Sequence, residues 1–163
     1  MTATYENIAT TTLGSSATEI NFTSISGSFT DLILVGRFSS TTLIFGGMNL
    51  RFNSDSGSNY SYTLIEGTGS AASSARASNT TSMEMGYNGT NDAGQNIIIQ
   101  IQNYSNTTTN KTAISRYNSS AGQVMSYVGL WRNTAAITSI RFAVNNQALA
   151  TGSTFTLYGI KAE

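Results

Sequence analysis

The sequence predicts an all-β chain: an antiparallel β-sandwich, jelly-roll-like, of about eight to ten strands. Three observations carry that reading. Apolar and polar residues alternate at period two in short segments, sustained helical periodicity is missing, and clusters of Gly, Ser, Asn and Asp fall between the segments where turns are needed. A length of 163 residues fits one such domain, 1–163.

The segments follow in chain order. Residues 1–12 are polar and terminal, and Thr2 to Thr12 are expected to form an arm that gains order by packing on something else. Ile20-Asn21-Phe22 alternates. Leu32-Ile33-Leu34-Val35 is continuously apolar, which predicts a strand covered on both faces. Met48, Leu50 and Phe52 face one way, with Asn49 and Arg51 opposite. Tyr60, Tyr62 and Leu64 repeat the pattern after a turn, so these two segments are expected to pair as a hairpin. Gly67 to Ser82 (GTGSAASSARASNTTS) breaks the rhythm and reads as a long surface loop, one turn of helix over Ala71, Ala72 and Ala75, or an arm ordered by a neighbouring subunit. Met83 and Met85 flank Glu84. Ile97, Ile99 and Ile101 share a face opposite Ile98, Gln100 and Gln102, and Tyr104 to Thr112 is a second interruption. Ala113 to Tyr117, Gln123 to Trp131, Ile137 to Val144 and Phe155 to Ile160 supply the remaining strands.

Composition narrows function. With no Cys, His or Pro, the chain cannot build disulfides, Cys/His zinc sites, thiol nucleophiles or a Ser-His-Asp triad. Eight basic and eight acidic residues cancel and are scattered, so no basic stripe for nucleic acid is expected. No apolar run approaches the roughly 18 residues that span a bilayer, and the first residues lack the pattern of a secretory signal. Neither a membrane nor a nucleic acid is an expected partner. Polarity comes instead from 24 Thr, 23 Ser and 16 Asn. So weakly ionic a surface does little to oppose self-association, and an assembled protein is expected.

Three constellations bear on chemistry. Asn53-Ser-Asp55-Ser-Gly57-Ser-Asn59 places oxygen side chains at alternate positions, like the opening of a calcium loop. The acid that such a loop needs at its twelfth position falls at Leu64, so a hairpin-type turn is the expected role. Paired carboxylates for glycoside hydrolysis would come from Glu19, Asp31, Asp55, Glu66, Glu84 and Asp92, and no spacing singles out a pair. Trp131 beside Arg132 ends a strand, where an exposed indole could stack on a sugar or anchor a protein contact, and where a buried one caps the core. Gly46-Gly47 and Gly67-Thr-Gly69 lack the Lys of a phosphate loop. No catalytic, cofactor-binding or metal-ligating residue is assigned, no cofactor is expected, and the chain is not expected to be an enzyme.

Tyr5 to Leu13 (YENIATTTL), Ile25 to Val35 (ISGSFTDLILV), Leu50 to Tyr62 (LRFNSDSGSNYSY) and Gly152 to Lys161 (GSTFTLYGIK) together resemble small virion structural proteins of tailed bacteriophages, those of cyanobacterial and other aquatic hosts above all. The resemblance implies a β-sandwich or jelly roll on the outer surface of the particle, made in the host cytoplasm. It implies capsid decoration (cement) first: a homo-oligomer, a trimer by preference, bound to the major capsid protein. The alternative it leaves is a tail fibre, receptor-binding or carbohydrate-binding module with a host surface glycan as ligand. Its motifs are strands and turns, so it transfers no site residue.

Overall fold

Period-two alternation buries one side of a strand only where a second layer lies across it. A computed structural model of the chain, describing residues 4–41, 46–88, 94–118 and 123–161, shows where those layers are. Among the described residues there are twelve strands and no helix: β1 (Tyr5–Thr12), β2 (Glu19–Phe22), β3 (Asp31–Phe38), β4 (Gly46–Phe52), β5 (Tyr60–Gly67), β6 (Ala72–Thr80), β7 (Met83–Asn88), β8 (Gln95–Ile101), β9 (Lys111–Asn118), β10 (Val124–Trp131), β11 (Ile140–Val144) and β12 (Thr154–Ile160). They form an eight-stranded sheet, β1-β12-β3-β8-β9-β10-β5-β6, and a four-stranded sheet, β2-β11-β4-β7. Every neighbouring pair is antiparallel, and the fold is an all-β sandwich.

The order β1-β12-β3-β8 facing β2-β11-β4-β7 is the interleaving of a jelly roll, in which the chain changes sheet at every step of this eight-strand plan except from β4 to β7, which pair with each other. Two hairpins, β9–β10 and β5–β6, are inserted into that plan. Both join the large sheet beyond β8 and widen it by four strands.

One apolar layer fills the space between the sheets. Leu32, Leu34, Ile97, Ile99, Phe155 and Leu157 of the large sheet meet Ile20, Phe22, Met48, Leu50 and Phe142 of the small one. Phe142 and Phe155, from opposite sheets, have ring centroids 5.4 Å apart. β7 lies over the inserted strands so closely that a Cβ on Gly129 of β10 would fall 2.4 Å from Met83 Sδ and 2.6 Å from Met85 Cε. A residue without a side chain is required there.

Several expectations are corrected. The strands number twelve among the described residues rather than eight to ten. β4 and β5 are not a hairpin; β4 pairs with β11 and β7, β5 with β10 and β6, and the turn between them carries the chain from one sheet to the other. The period-two pattern is identical in the two cases, because alternation records a buried face and not which sheet provides it. Gly67 to Ser82 is neither loop nor helix over most of its length: Ala72–Thr80 is an edge strand exposed on both faces, since the four-stranded sheet does not reach beneath it. A strand with no covering layer has no reason to alternate. The N-terminal arm is likewise a strand over residues 5–12, paired along β12 with Thr10–Thr156 and Thr12–Thr154 hydroxyl contacts at 3.1 Å; residues 1–3 lie outside the described residues. Leu32 and Leu34 are fully buried on the inner face and Ile33 is 6% exposed on the outer one, but Val35, the next outward residue, is exposed, so the strand is covered on both faces over only part of the apolar run.

Gly129→Ala is expected to destabilise the fold by about 1–3 kcal/mol through overpacking against Met83 and Met85. Gly67→Ala, where an added Cβ meets nothing within 4 Å, should leave the urea midpoint close to that of the parent. Equal midpoints for the two variants would contradict the close approach of the sheets.

Candidate functional site

Trp131 ends β10 on its inner face and is 1% exposed. It stacks on Tyr60 at 6.2 Å and meets Phe52 edge-on at 5.5 Å. A buried indole N–H needs an acceptor, and Nε1 donates to Asp55 Oδ2 at 2.7 Å. The same carboxylate accepts from Asn59 Nδ2 at 2.9 Å and, through Oδ1, from the Gly57 N–H at 2.8 Å. Burial pushes the Asp55 carboxyl up, but these three donors outweigh it and hold the group below its ordinary value. Asn53 Oδ1 accepts the N–H groups of Thr138 and Ser139, which ties the turn to the segment before β11. The 53–59 segment is therefore a turn whose oxygens face protein donors, and among the described residues no group of three or more carboxylates could hold a metal. Trp131 is a core residue and offers no platform to a sugar; Arg132 bonds Ser61 Oγ and Asn79 Oδ1.

The remaining acids separate in space. Glu19 accepts from Arg141 Nε at 2.6 Å and from Asn21, which hold its carboxyl below the ordinary value. Asp31 accepts the Asn103 N–H, Glu6 pairs with Lys161 at 2.7 Å, and Asp92 lies outside the described residues. Glu66 and Glu84 do come together, lining a pocket of about 240 Å³ between β5 and β7 with Tyr87, Met125 and Tyr127. Tyr127 donates to Glu84 Oε1 at 3.3 Å, and the Tyr62 hydroxyl faces the same carboxyl. Burial pushes Glu84 up, the two hydroxyls offsetting it only in part. Burial and the facing Glu84 also push Tyr62 and Tyr127 up. Sequence spacing could not join Glu66 to Glu84, because the hairpin return through β6 and the change of sheet at β7 set their approach. Met83-Glu84-Met85 was the one visible signal, a carboxylate between two core residues.

The outer face of the large sheet is the other concentration of unusual groups. Across β3, β8, β9, β10, β5 and β6 the consecutive partners are Val35, Ile98, Arg116, Ser126, Ile65 and Ser74. One row to one side lie Arg37 on β3 and Val124 on β10; one row to the other lie Ile114, Val128 and Arg76. Ile65, Val124 and Val128 are 62%, 65% and 52% exposed. Ile65, Val124, Ser74, Ser126 and Arg116 wall a groove of about 830 Å³ over the inserted strands. No outward position of these six strands carries a carboxylate from Ile33 onward; Glu66 reaches the groove's rim from the inward-facing set, where Ser73 Oγ donates to it.

No protein-family model matches the chain, and no curated protein matches it. Among solved structures, an alginate lyase, Aly36B, solved as a double mutant in complex with alginate tetrasaccharide, is similar at a TM-score of 0.32 and 10% identity, over 94% of this chain and 80% of that one. A likeness of that size carries no argument about activity.

Two substitutions test the internal chemistry. Asp55→Ala leaves the buried indole N–H without an acceptor and should cost about 1–3 kcal/mol, read from urea unfolding followed by Trp131 fluorescence. Glu84 is held above its ordinary value, so the folded state binds more protons than the unfolded one just above that value, and stability falls as pH rises through the window. Glu84→Gln removes this penalty; its advantage over the parent should grow between pH 4 and pH 7, and an advantage independent of pH would contradict the buried, charge-averse site.

Proposed function

We propose that this protein is a non-catalytic structural module that works by contact, and that its contact surface is the outer face of the widened eight-stranded sheet. The observation that carries the reading is the group of exposed aliphatic side chains, Ile65, Val124 and Val128, on strands inserted into the jelly roll. Exposed apolar patches of this kind mark interaction surfaces. Other groups that could do chemistry hold the fold: Asp55 on Trp131, Glu19 on Arg141, and the buried Lys111 on the carbonyls of Thr109 and Thr134.

The setting we propose is a phage particle, on the resemblance in Tyr5 to Leu13, Ile25 to Val35, Leu50 to Tyr62 and Gly152 to Lys161. There the chain would decorate the capsid as a homotrimer bound to the major capsid protein. The open edges β1 and β6, at opposite ends of one sheet, support assembly, since unpaired edges invite pairing with another copy and head-to-tail contacts can close into a ring. Many copies would multiply a modest contact.

Light scattering should give the mass of three chains, and the protein should pellet with undecorated capsids of its own phage. A monomer that stays in the supernatant, and that antibodies place at tail tips, would move the function to receptor or glycan binding.

A further inference from the structure

The charges of this molecule are few enough to be followed one by one. Of its eight basic residues, five have partners: Arg141 with Glu19, Lys161 with Glu6, Arg51 with the Thr81 carbonyl, Arg132 with Ser61 and Asn79, and Lys111 with two backbone carbonyls. Arg37, Arg76 and Arg116 are exposed and make no hydrogen bond or ion pair among the described residues. All three stand on the same surface, the outer face of the large sheet.

Their registers put them on a line. Arg37 is on β3, Arg116 two strands away and one row further, and Arg76 three strands beyond that and one row further again. Strand and residue spacings separate the first two by about 12 Å and the last two by about 16 Å. Aliphatic side chains fill the intervals: Val35 and Ile98 toward Arg37, Ile65 and Val128 toward Arg76.

We infer that Arg37, Arg116 and Arg76 form a diagonal cationic line that docks an acidic protein surface, one in which carboxylates are interleaved with aliphatic side chains. This deepens the contact function proposed above and rests on its choice of face. Charge complementarity selects the occupant. Three guanidiniums without an acid partner among the described residues fit carboxylates. A second copy packed face to face would set arginine against arginine, and the outward carboxylate of β3, Asp31, lies three rows from Arg37 and already accepts the Asn103 N–H. The mixture also has the composition of protein interfaces, which favour Arg and disfavour Lys, and all three free cations here are Arg. The central strands of the face carry no aromatic ring on which a sugar could stack, and the groove beside Arg116 is walled mainly by aliphatic and hydroxyl groups.

Fluorescence anisotropy with the full chain tests this, using a labelled peptide of alternating glutamate and valine, a matched lysine–valine peptide, and polygalacturonate as the acidic glycan. The glutamate–valine peptide should bind, more weakly as salt rises. Each of R37Q, R76Q and R116Q should weaken it about two- to fivefold, and the triple variant at least about tenfold. Ile65→Ser should weaken it too, whereas the lysine peptide should not bind. These side chains are exposed, so unchanged urea midpoints will show that the variants fold. The inference is overturned by absence of binding, by binding that the triple variant retains, by a preference for polygalacturonate through the same arginines, or by concentration-dependent dimerisation that Ile65→Ser abolishes. Capsid pelleting separates the two levels. If the triple variant pellets as the parent does, the diagonal falls and decoration stands; if the parent binds the acidic peptide but not capsids, decoration falls and the diagonal stands.

Discussion

A single carboxylate, that of Asp55, holds the point on which the architecture turns. The chain leaves the four-stranded sheet at Phe52 and enters the eight-stranded one at Tyr60, and between them it must reverse and change layer. Asp55 fixes that passage by accepting from the Gly57 N–H, the Asn59 amide and the Trp131 indole. The Tyr60 hydroxyl closes the same corner, accepting from the Phe52 N–H and lying 3.1 Å from the Asp55 carbonyl. Burial pushes that hydroxyl up to about 12, so it stays protonated and able to donate. The largest side chain of the core is thus seated by the turn that joins the sheets, and neither can be altered without the other.

Beyond that corner the sandwich has unequal layers. The jelly-roll strands cover one another, whereas the β5–β6 hairpin starts at the Asp55 corner and runs out beyond the edge of the small sheet. β6 is exposed on both faces as a result. Aliphatic residues on the outer side of β5 and β10 have no layer to bury them, although those strands are packed on their inner side by Met83, Met85 and the Trp131 cluster. Packing on the inner side backs the exposed outer side, an arrangement that limits the ordering entropy a contact face loses on binding.

Electrostatics divide along the same lines. In the interior, each charged group meets donors or acceptors aimed at it. Lys111 is buried with its ammonium on two carbonyls, and burial pushes its pKa down; Glu84 sits under two tyrosine hydroxyls with its own pushed up. On the small sheet's side Glu19 and Arg141 neutralise each other. On the outer face of the large sheet, Arg37, Arg76 and Arg116 stand with neither an acid nor a hydrogen-bond acceptor among the described residues. A net charge of zero therefore conceals an uneven distribution among the described residues, with Glu6 and Glu19 paired to cations and Asp55 and Glu84 bonded to aromatic side chains.

The sequence by itself determined the fold class, most of the strands and the absence of thiol and imidazole chemistry, because alternation and composition are local properties. It also showed why the 53–59 segment is a turn: a calcium loop's bidentate acid would have to be Leu64. Sheet membership was not legible. Met48 to Phe52 and Tyr60 to Leu64 carry the same pattern, and only the tertiary structure assigned them to different layers. Trp131 stood between core and platform until the fold placed an acceptor beside its N–H. The strand at Ala72–Thr80 was invisible for the converse reason, since a strand covered on neither face bears no hydrophobic period. Nor could spacing bring Glu66 to Glu84, or align Arg37, Arg116 and Arg76, whose neighbourhood is set by hydrogen-bonded register between strands far apart in the chain. Local pattern fixes which face of a strand is buried; long-range pairing decides what that face meets and what the other one is left to bind.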